Sequence, residues 1–343
     1  MIDISSLVRR NILELKPYSC ARNEFQGEAS VSLDANENPL NTPYNRYPDP
    51  LQTALKKKIA VLKNVRPAQI MLGVGSDEPI DLIIRIFCEP IVDNIVAISP
   101  TYGMYEVCAD INNVEYRESL LNRDYTFDAG RLLEETDGHT KVIFLCSPNN
   151  PTGNILDGDE IRKVLNGFQG ITVIDEAYVD FSTHPSWLRE LDNYPRLIVL
   201  QTFSKAWGLA SVRCGMAFAS EEITGYLNRV KYPYNINMLT QGFVSEQIEF
   251  EGRKNEWVRI LLAQREVLAE KLRQIPVVEN VFPSDANFLL VRVTDANGSY
   301  NKLVKKGIIV RNRNNILLCL GCLRITVGTE QENELLINEL KQL

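Results

Sequence analysis

Residues 202–215 read Thr-Phe-Ser-Lys-Ala-Trp-Gly-Leu-Ala-Ser-Val-Arg-Cys-Gly and directly follow an apolar run at 197–201. The apolar run predicts a strand, and Lys205 and Arg213 lie in the segment that leads away from it. A lysine amine beside cationic neighbours can have a lowered pKa, so it can form and exchange a Schiff base near neutral pH. A lone lysine would be a surface residue at a helix start, but the flanking Thr-Phe-Ser and the arginine favour a reactive lysine here.

Short apolar runs alternate with amphipathic segments from about residue 70 to residue 220. Besides 197–201, the runs are 70–72, 95–98, 142–146, 172–174 and 215–219. This rhythm predicts βαβ units, and strands that are apolar on both faces suit a mostly parallel sheet covered by helices. Because polar functional groups gather at the carboxyl ends of such strands, we expect an α/β fold with a site along that edge.

A polar motif follows nearly every predicted strand. The motifs are GVGSDE (73–78), SPTYG (99–103), SPNNPTG (147–153) and DEAYVDF (175–181), followed by the 202–215 stretch. In this order they resemble the aspartate-aminotransferase superfamily, the fold-type I enzymes that carry pyridoxal 5′-phosphate (PLP), and the resemblance covers essentially the whole chain. It implies a large domain with a mostly parallel sheet, a smaller α+β C-terminal domain, and PLP joined to Lys205.

The expected domain organisation has three parts. Residues 1–40 are predicted to form an N-terminal arm and part of the small domain, 41–240 the large PLP-binding domain, and 241–343 the small C-terminal domain. The last unit contains a long helical stretch at about 240–275, strand-like segments at 288–293, 308–310 and 323–327, and a closing helix from about residue 330. The arm is rich in turn formers, so we expect it to pack on another surface, such as a partner subunit.

The catalytic residues that the resemblance implies are Lys205, Asp175 and Tyr178. Asp175 ends an apolar run at 171–174, so the sheet would deliver its carboxylate to the ligand-binding edge. An ionised carboxylate can keep the PLP pyridine nitrogen protonated through a charge-assisted hydrogen bond. By resemblance, Tyr178 and Asn149 would reach the phenolic oxygen of the cofactor.

The PLP phosphate needs hydrogen-bond donors and positive charge. The turn Gly75-Ser76-Asp77 leads into a predicted helix, whose N-terminus supplies backbone N–H groups and a favourable dipole. By resemblance, Ser204 and Arg213 are further phosphate ligands.

Two tyrosines complete the predicted cofactor site. Tyr102 follows a predicted strand, and its ring would stack on the pyridine face. Tyr47 resembles the tyrosine that reaches the PLP phosphate of the neighbouring subunit. The resemblance therefore implies a homodimer whose sites are completed across the interface.

The N-terminal pieces LKPYSCAR (15–22), LDANENP (33–39) and NRYPDP (45–50) resemble one branch of the superfamily, the histidinol-phosphate aminotransferases. The small-molecule substrates implied are histidinol phosphate and 2-oxoglutarate, which give imidazole-acetol phosphate and glutamate. Arg324, in LRITVG (323–328), matches the arginine that grips the substrate carboxylate. The further candidates for substrate binding are Tyr18, Arg22, Asn36 and Arg311. An aromatic amino-acid aminotransferase or a phosphothreonine decarboxylase of the same fold remains the alternative.

Composition excludes several other classes of function. A formal charge of −7 opposes binding to a nucleic acid, and no apolar run approaches the roughly 20 residues that a membrane span needs. The seven cysteines are scattered and odd in number, which favours reduced thiols and a cytoplasmic location. Cys319 and Cys322 have the spacing of half a zinc site but stand alone, so no metal is expected.

Overall fold

A computed structural model describes residues 3–18 and 30–342 of the chain. Its larger sheet has seven strands in the order β1-β7-β6-β5-β4-β2-β3. The strands are β1 (Ile70–Val74), β2 (Asn94–Ser99), β3 (Glu115–Leu120), β4 (Thr140–Cys146), β5 (Ile171–Asp175), β6 (Leu197–Thr202) and β7 (Cys214–Phe218). Strands β2 to β6 pair in parallel, whereas β7 pairs antiparallel with both β6 and β1. The predicted α/β fold with a mostly parallel sheet is therefore confirmed.

Helices cover both faces of this sheet. They are α1 (Arg10–Leu13), α2 (Thr53–Lys63), α3 (Asp77–Phe87), α4 (Met104–Ile111), α5 (Ala129–Glu134), α6 (Gly158–Gly167) and α7 (Glu221–Val230). Side chains of each strand alternate between two cores, so Ile70 and Leu72 pack with α2, α5 and α6, while Met71 packs with α3, α4 and α7. Each buried Ile or Leu contributes roughly 1.5–3 kcal/mol through removal from water. This double burial explains the continuous apolar runs in the sequence.

The start of the chain belongs to one of these cores. Ile4, Val8 and Ile12 are buried with α3 and α7. The Arg9 guanidinium donates to the carbonyl of Arg85 at 3.0 Å. The first described residues of the predicted arm thus pack on their own chain. Among the residues that the structure describes, no helix is both long enough and apolar enough to cross a membrane.

The second sheet has four antiparallel strands in the order β10-β11-β9-β8. They are β8 (Val278–Val281), β9 (Phe288–Val293), β10 (Arg311–Asn312) and β11 (Cys322–Thr326). The remaining helices are α8 (Met238–Gln247), α9 (Glu251–Arg273), α10 (Ala296–Lys305) and α11 (Glu330–Leu340). A separate apolar core joins this sheet to α9, α10 and α11. The smaller sheet and its helices form the α+β unit expected from the sequence. The predicted bounds of the N-terminal arm, the large domain and the small domain stay a prediction.

Three local predictions differ from the structure. The strand predicted at 308–310 is absent there, and pairing starts instead at Arg311, opposite Arg324 of β11. The helical stretch at 240–275 is two helices, α8 and α9, separated by a 3₁₀ turn at Ile248–Phe250. Strands β3 and β8 carry few buried side chains, so the apolar pattern did not reveal them.

The backbones of β7 and of the turn after β1 approach each other closely at Gly215. Gly215 pairs with Gly73, and a Cβ atom added to Gly215 would overlap the backbone of Gly75 and Ser76. Glycine is therefore required here because no side chain fits between the two segments.

We expect Gly215→Ala to lower the free energy of unfolding by about 1–3 kcal/mol, since the backbone around Gly75 must shift to admit the methyl group. Gly225→Ala is the matched control, because Gly225 is exposed in α7 and a Cβ atom added there would have no atom within 4 Å. Alanine at this position should raise the free energy of unfolding by up to about 1 kcal/mol. Urea unfolding followed by circular dichroism measures both. Equal stability of Gly215→Ala and the unmodified chain would contradict the close approach.

Candidate active site

A cavity of about 280 Å³ lies at the carboxyl ends of β1, β4, β5 and β6. Most of the residues predicted from the sequence line it: Gly75, Ser76, Asp77, Tyr102, Asp175, Tyr178, Ser204, Lys205, Arg213, Arg311 and Arg324. The cavity is also lined by residues that were not predicted, which are Cys146, Asn150, Ala177, Thr202, Ala210 and Arg313. The fold thus brings together in one cavity residues that are as far apart in the sequence as Gly75 and Arg324.

A buried carboxylate lies in the wall of the cavity. Asp175, the last residue of β5, is 2% exposed. Its Oδ2 accepts a hydrogen bond from the Tyr105 hydroxyl at 2.8 Å, and its Oδ1 accepts one from the Ala177 amide at 3.0 Å. Burial raises the pKa of Asp175, against the lowering effect of these two hydrogen bonds. A cationic group in the cavity would stabilise the ionised carboxylate, which is what a pyridinium nitrogen supplies.

Donors for an anion gather around the first turn of α3. Ser76 precedes this helix, and Gly75 adopts a left-handed conformation with φ +69°. The Gly75 amide donates to the carbonyl of Arg213 at 3.0 Å, which fixes the arginine next to the turn. Arg213 Nη2 lies 3.4 Å from Asp77 Oδ2. The helix N-terminus and the guanidinium together suit a phosphate group.

Hydroxyl groups border the same region. The Ser204 hydroxyl accepts a hydrogen bond from Thr202 Oγ1 at 2.9 Å, which leaves its own proton available to a ligand. The Tyr102 hydroxyl donates to Asp77 Oδ1 at 2.9 Å. Burial and the nearby Asp77 raise the pKa of Tyr102, so this hydroxyl stays protonated.

Lys205 faces the cavity from the segment after β6. Its Nζ lies 5.5 Å from the centre of the Tyr178 ring. Desolvation and repulsion from Arg324 lower the pKa of Lys205, against attraction to Asp175 and Asp77. A lowered pKa increases the fraction of neutral amine, which is the form that acts as nucleophile and accepts protons.

Three arginines from the second sheet enter the cavity. Arg311 and Arg324 are opposite each other in the pairing of β10 with β11, and Arg313 follows in the same segment. Arg324 donates to the side-chain oxygen of Asn150. Burial lowers the pKa of both Arg313 and Arg324. Repulsion from Arg324 and Arg311 adds to the lowering at Arg313, and repulsion from Arg311 adds to it at Arg324. In the part of the chain that the structure describes, the buried Nε atoms of Arg313 and Arg324 have no hydrogen-bond partner, so the cluster suits an anionic ligand.

One predicted residue is displaced by a single position. Asn149 does not line the cavity, because its amide donates to Pro100 O at 2.9 Å and to Thr152 Oγ1 at 2.7 Å. Its neighbour Asn150 lines the cavity instead and contacts Arg324. The structure therefore places Asn150, rather than the predicted Asn149, at the cavity, and a role as cofactor ligand stays a prediction.

Three further predicted residues, Tyr18, Asn36 and Tyr47, do not line the cavity that contains Lys205. Asn36 and Tyr47 line a separate cavity of about 450 Å³, and the Tyr47 ring stacks on Tyr234 at 4.5 Å. Tyr18 is 72% exposed. Arg22 lies outside the described residues, so its predicted role stays a prediction.

Comparison with known proteins identifies the family. Residues 21–340 match the family described as aminotransferase class I and II. The chain belongs to this family. It is therefore an aminotransferase, and the cavity that contains Lys205 is its candidate active site.

Individual relatives support the assignment to this aminotransferase family. The chain is 58% identical over 343 residues to the histidinol-phosphate aminotransferase of Parabacteroides distasonis, covering 100% of this chain and 99% of the relative. Its fold is similar to the crystal structure of the histidinol-phosphate aminotransferase from Clostridium acetobutylicum, with a TM-score of 0.81, 25% identity and coverage of 87% of this chain and 90% of that one. The Sinorhizobium meliloti histidinol-phosphate aminotransferase, solved in complex with pyridoxal-5′-phosphate, shares the fold at a TM-score of 0.79 and 20% identity, covering 87% and 82% of the two chains.

The sequence carries a local signal for two of the lining residues that were not predicted, although neither signal decides which side chain reaches the cavity. Arg313 is two residues after Arg311, so in a short strand both side chains lie on the same face. Asn150 directly precedes the Pro-Thr-Gly turn, so its side chain points in a different direction from that of Asn149.

We expect Tyr105→Phe to weaken PLP binding by roughly tenfold, because the variant loses a hydrogen bond that stabilises the Asp175 carboxylate. The pKa of Asp175 would rise further, so affinity should fall at a higher pH than in the unmodified protein as the solution is acidified. Absorbance titrations of the apoprotein with PLP at several pH values measure this. Tyr116→Phe, in β3 and without a contact to Asp175, serves as the control and should bind normally.

Proposed function

We propose that this aminotransferase exchanges an amino group between histidinol phosphate and 2-oxoglutarate, giving imidazole-acetol phosphate and glutamate in histidine biosynthesis. The observation that carries the proposal is the arginine cluster beside Lys205, whose buried Nε atoms at Arg313 and Arg324 lack protein partners in the described residues. Both amino donors carry an anion near the amino carbon, a phosphate in histidinol phosphate and a carboxylate in glutamate. Guanidinium groups bind either anion by donating paired N–H hydrogen bonds to it.

The same residues fit PLP as the cofactor. Lys205 would hold its aldehyde carbon, Asp175 its ring nitrogen, and the turn at Gly75 and Ser76, with Arg213, its phosphate. The hydroxyls of Tyr178 and Ser204 and the amide of Asn150 are placed along the cavity as further donors. When bound, PLP supplies an electron sink for the negative charge that develops at the α-carbon of the substrate.

Proton transfer falls to Lys205. Its Nζ is released when the substrate amino group displaces it from the aldehyde carbon. The freed amine, with a lowered pKa, would accept the proton from the substrate α-carbon as a general base and return a proton as a general acid. Burial raises the pKa of Tyr178, so its hydroxyl stays protonated and can donate a hydrogen bond to a bound ligand. The amino group of the first substrate would stay with the enzyme after the first product leaves, until the second substrate enters the same cavity, so the reaction would be of the ping-pong type.

The arginines orient both substrates. Arg324 is held by Asn150 and lies with its guanidinium carbon 5.2 Å from the Phe288 ring centre, which fixes the fork against an apolar surface. Arg311 and Arg313 add positive charge on the same side of the cavity. An anion bound between them places the neighbouring amino carbon towards Lys205.

The proposal includes a cytoplasmic homodimer. Tyr47 lies outside the Lys205 cavity of its own chain, with Asn36 beside the second cavity. A Tyr47 that acts on the partner's PLP phosphate accounts for this separation, because the residue then completes a site across the interface.

Lys205→Ala should abolish turnover, with a loss of at least about 10³-fold in kcat, since both the cofactor attachment and the proton carrier are removed. Single-turnover measurement of glutamate formation from histidinol phosphate and 2-oxoglutarate tests this. Near-normal transamination by the purified variant without added amine would contradict the role of Lys205.

Arg313→Met should reduce kcat/KM for histidinol phosphate by about 10–100-fold, since one charge-assisted contact to the phosphate is lost. Histidinol, which lacks the phosphate, should lose much less. Arg162→Met is the control, because Arg162 lies outside the cavity and pairs with Asp159. Steady-state assays with both amines measure the difference.

Substrate assays also separate the alternatives. PLP-loaded protein mixed with histidinol phosphate should show conversion of the cofactor absorbance within one half-reaction. Conversion with phenylalanine but not with histidinol phosphate would favour an aromatic aminotransferase, and release of carbon dioxide from phosphothreonine would favour a decarboxylase.

A further inference from the structure

A buried lysine lies between two turns that have different roles in the proposed function. One holds Tyr47, and the other holds Gly75 and Ser76 of the proposed phosphate site. Lys231 is 5% exposed, in the segment that follows α7. Its Nζ donates to the carbonyl oxygen of Pro50 at 2.7 Å and to the side-chain oxygen of Asn235 at 3.1 Å. It also contacts the carbonyls of Tyr232 at 3.3 Å and Pro233 at 3.4 Å. The ammonium is thus held by neutral oxygens, and Pro50 O is the nearest of these acceptors.

Asn235 extends this contact to the turn before α3. Its Nδ2 donates to Leu72 O at 2.9 Å and to Glu78 Oε2 at 3.0 Å. The same Glu78 oxygen accepts the amide of Val74 at 2.6 Å. Leu72, Val74 and Glu78 enclose Gly75 and Ser76, which form the proposed phosphate site. A continuous path of hydrogen bonds therefore runs from Lys231 to the backbone on either side of that site.

Pro50 leads to the other turn. It ends the segment Arg46-Tyr47-Pro48-Asp49-Pro50, which we call the 46–50 turn. Gln52, 0% exposed, donates to Pro50 O at 2.8 Å and to Asn235 Oδ1 at 3.3 Å, so it braces the same junction. The Tyr47 ring stacks on Tyr234, which directly precedes Asn235. Lys231 thus lies where the 46–50 turn meets the residues that hold the phosphate turn.

We propose that Lys231 is a positioning residue, whose ammonium fixes the 46–50 turn and its Tyr47 against the 73–78 turn that would hold the PLP phosphate. The inference rests on the proposed function, because PLP is the ligand whose phosphate these turns would bind. Lys231 itself lines neither cavity. It acts through the geometry of the two turns.

The charge state is compatible with this role. Burial lowers the pKa of Lys231 to about 8, against attraction to Glu78 and Asp49, so the ammonium form predominates at pH 7. A protonated lysine donates three hydrogen bonds, whereas an apolar side chain of similar length donates none. Removing the ammonium takes one donor away from Pro50 O and one from Asn235 Oδ1, although Gln52 still donates to both. The lost buried hydrogen bonds favour displacement of both turns.

Lys56 of α2 provides a matched control. It is 7% exposed, and burial, together with repulsion from Lys231, also lowers its pKa to about 8. Its Nζ donates to Asn228 Oδ1 at 3.4 Å. A general effect of removing a buried ammonium would appear equally in Lys56→Met and Lys231→Met, whereas a positioning effect would appear only in the second.

The test compares the affinity of the full-length protein for PLP with its affinity for pyridoxal, which has the aldehyde and ring but no phosphate. In Lys231→Met, the dissociation constant for PLP should rise at least tenfold, and that for pyridoxal should stay within twofold of the unmodified protein. Lys56→Met should leave both constants within twofold. Saturating PLP should restore kcat in Lys231→Met, because the catalytic groups are intact.

An unchanged PLP affinity in Lys231→Met would overturn the inference, and so would equal losses for PLP and pyridoxal. If Lys231→Met does not fold, Asn235→Asp decides, because it keeps the acceptor for Lys231 but removes the donor to Leu72 and Glu78; the same selective loss for PLP is expected. Failure of both variants to fold would mean that the junction serves the fold alone. Absence of PLP binding by the unmodified protein would instead overturn the proposed function.

Discussion

The rest of the site depends on a carboxylate, that of Asp175, which is buried at the end of β5 and needs a positive charge nearby to stay ionised. Taking Asp175 out of water is unfavourable, and the hydrogen bonds from Tyr105 and Ala177 offset only part of the penalty, since the pKa stays raised. A cation bound in the cavity would complete the compensation, and the protonated ring nitrogen of the proposed cofactor would be such a cation. The sheet makes this arrangement possible, because parallel strands present their carboxyl ends along one edge.

Both sheets contribute charged groups to the cavity. Asp175 comes from the large sheet, whereas Arg311 and Arg324 come from the antiparallel sheet and Arg313 directly follows β10. Both kinds of charge act on Lys205. Desolvation and repulsion from Arg324 lower its pKa, whereas attraction to Asp175 raises it. An anionic substrate that neutralises the arginines would reduce this repulsion, which couples substrate binding to the protonation of the amine.

Local patterns predicted the large sheet well, and the smaller sheet less well. Apolar runs revealed β1, β2, β4, β5, β6 and β7 because these strands are buried on both faces. The edge strand β3 has mostly exposed or half-buried side chains, so no such run marks it. Asn149 and Asn150 are identical in type and adjacent, and only the turn geometry decides which of them reaches the cavity.

The sequence by itself predicted the polar motifs that hold a lysine, an aspartate and a tyrosine shortly after apolar runs, because strand periodicity and turn residues are local properties of the chain. The roles of these residues came from the resemblance of the ordered motifs to one superfamily. Only the tertiary structure decided that Arg313 and Asn150 join the cavity, that Ile4 to Ile12 pack on their own chain, and that Lys231 lies between two turns. These contacts join segments far apart in sequence, and they depend on how the two sheets and their helices pack.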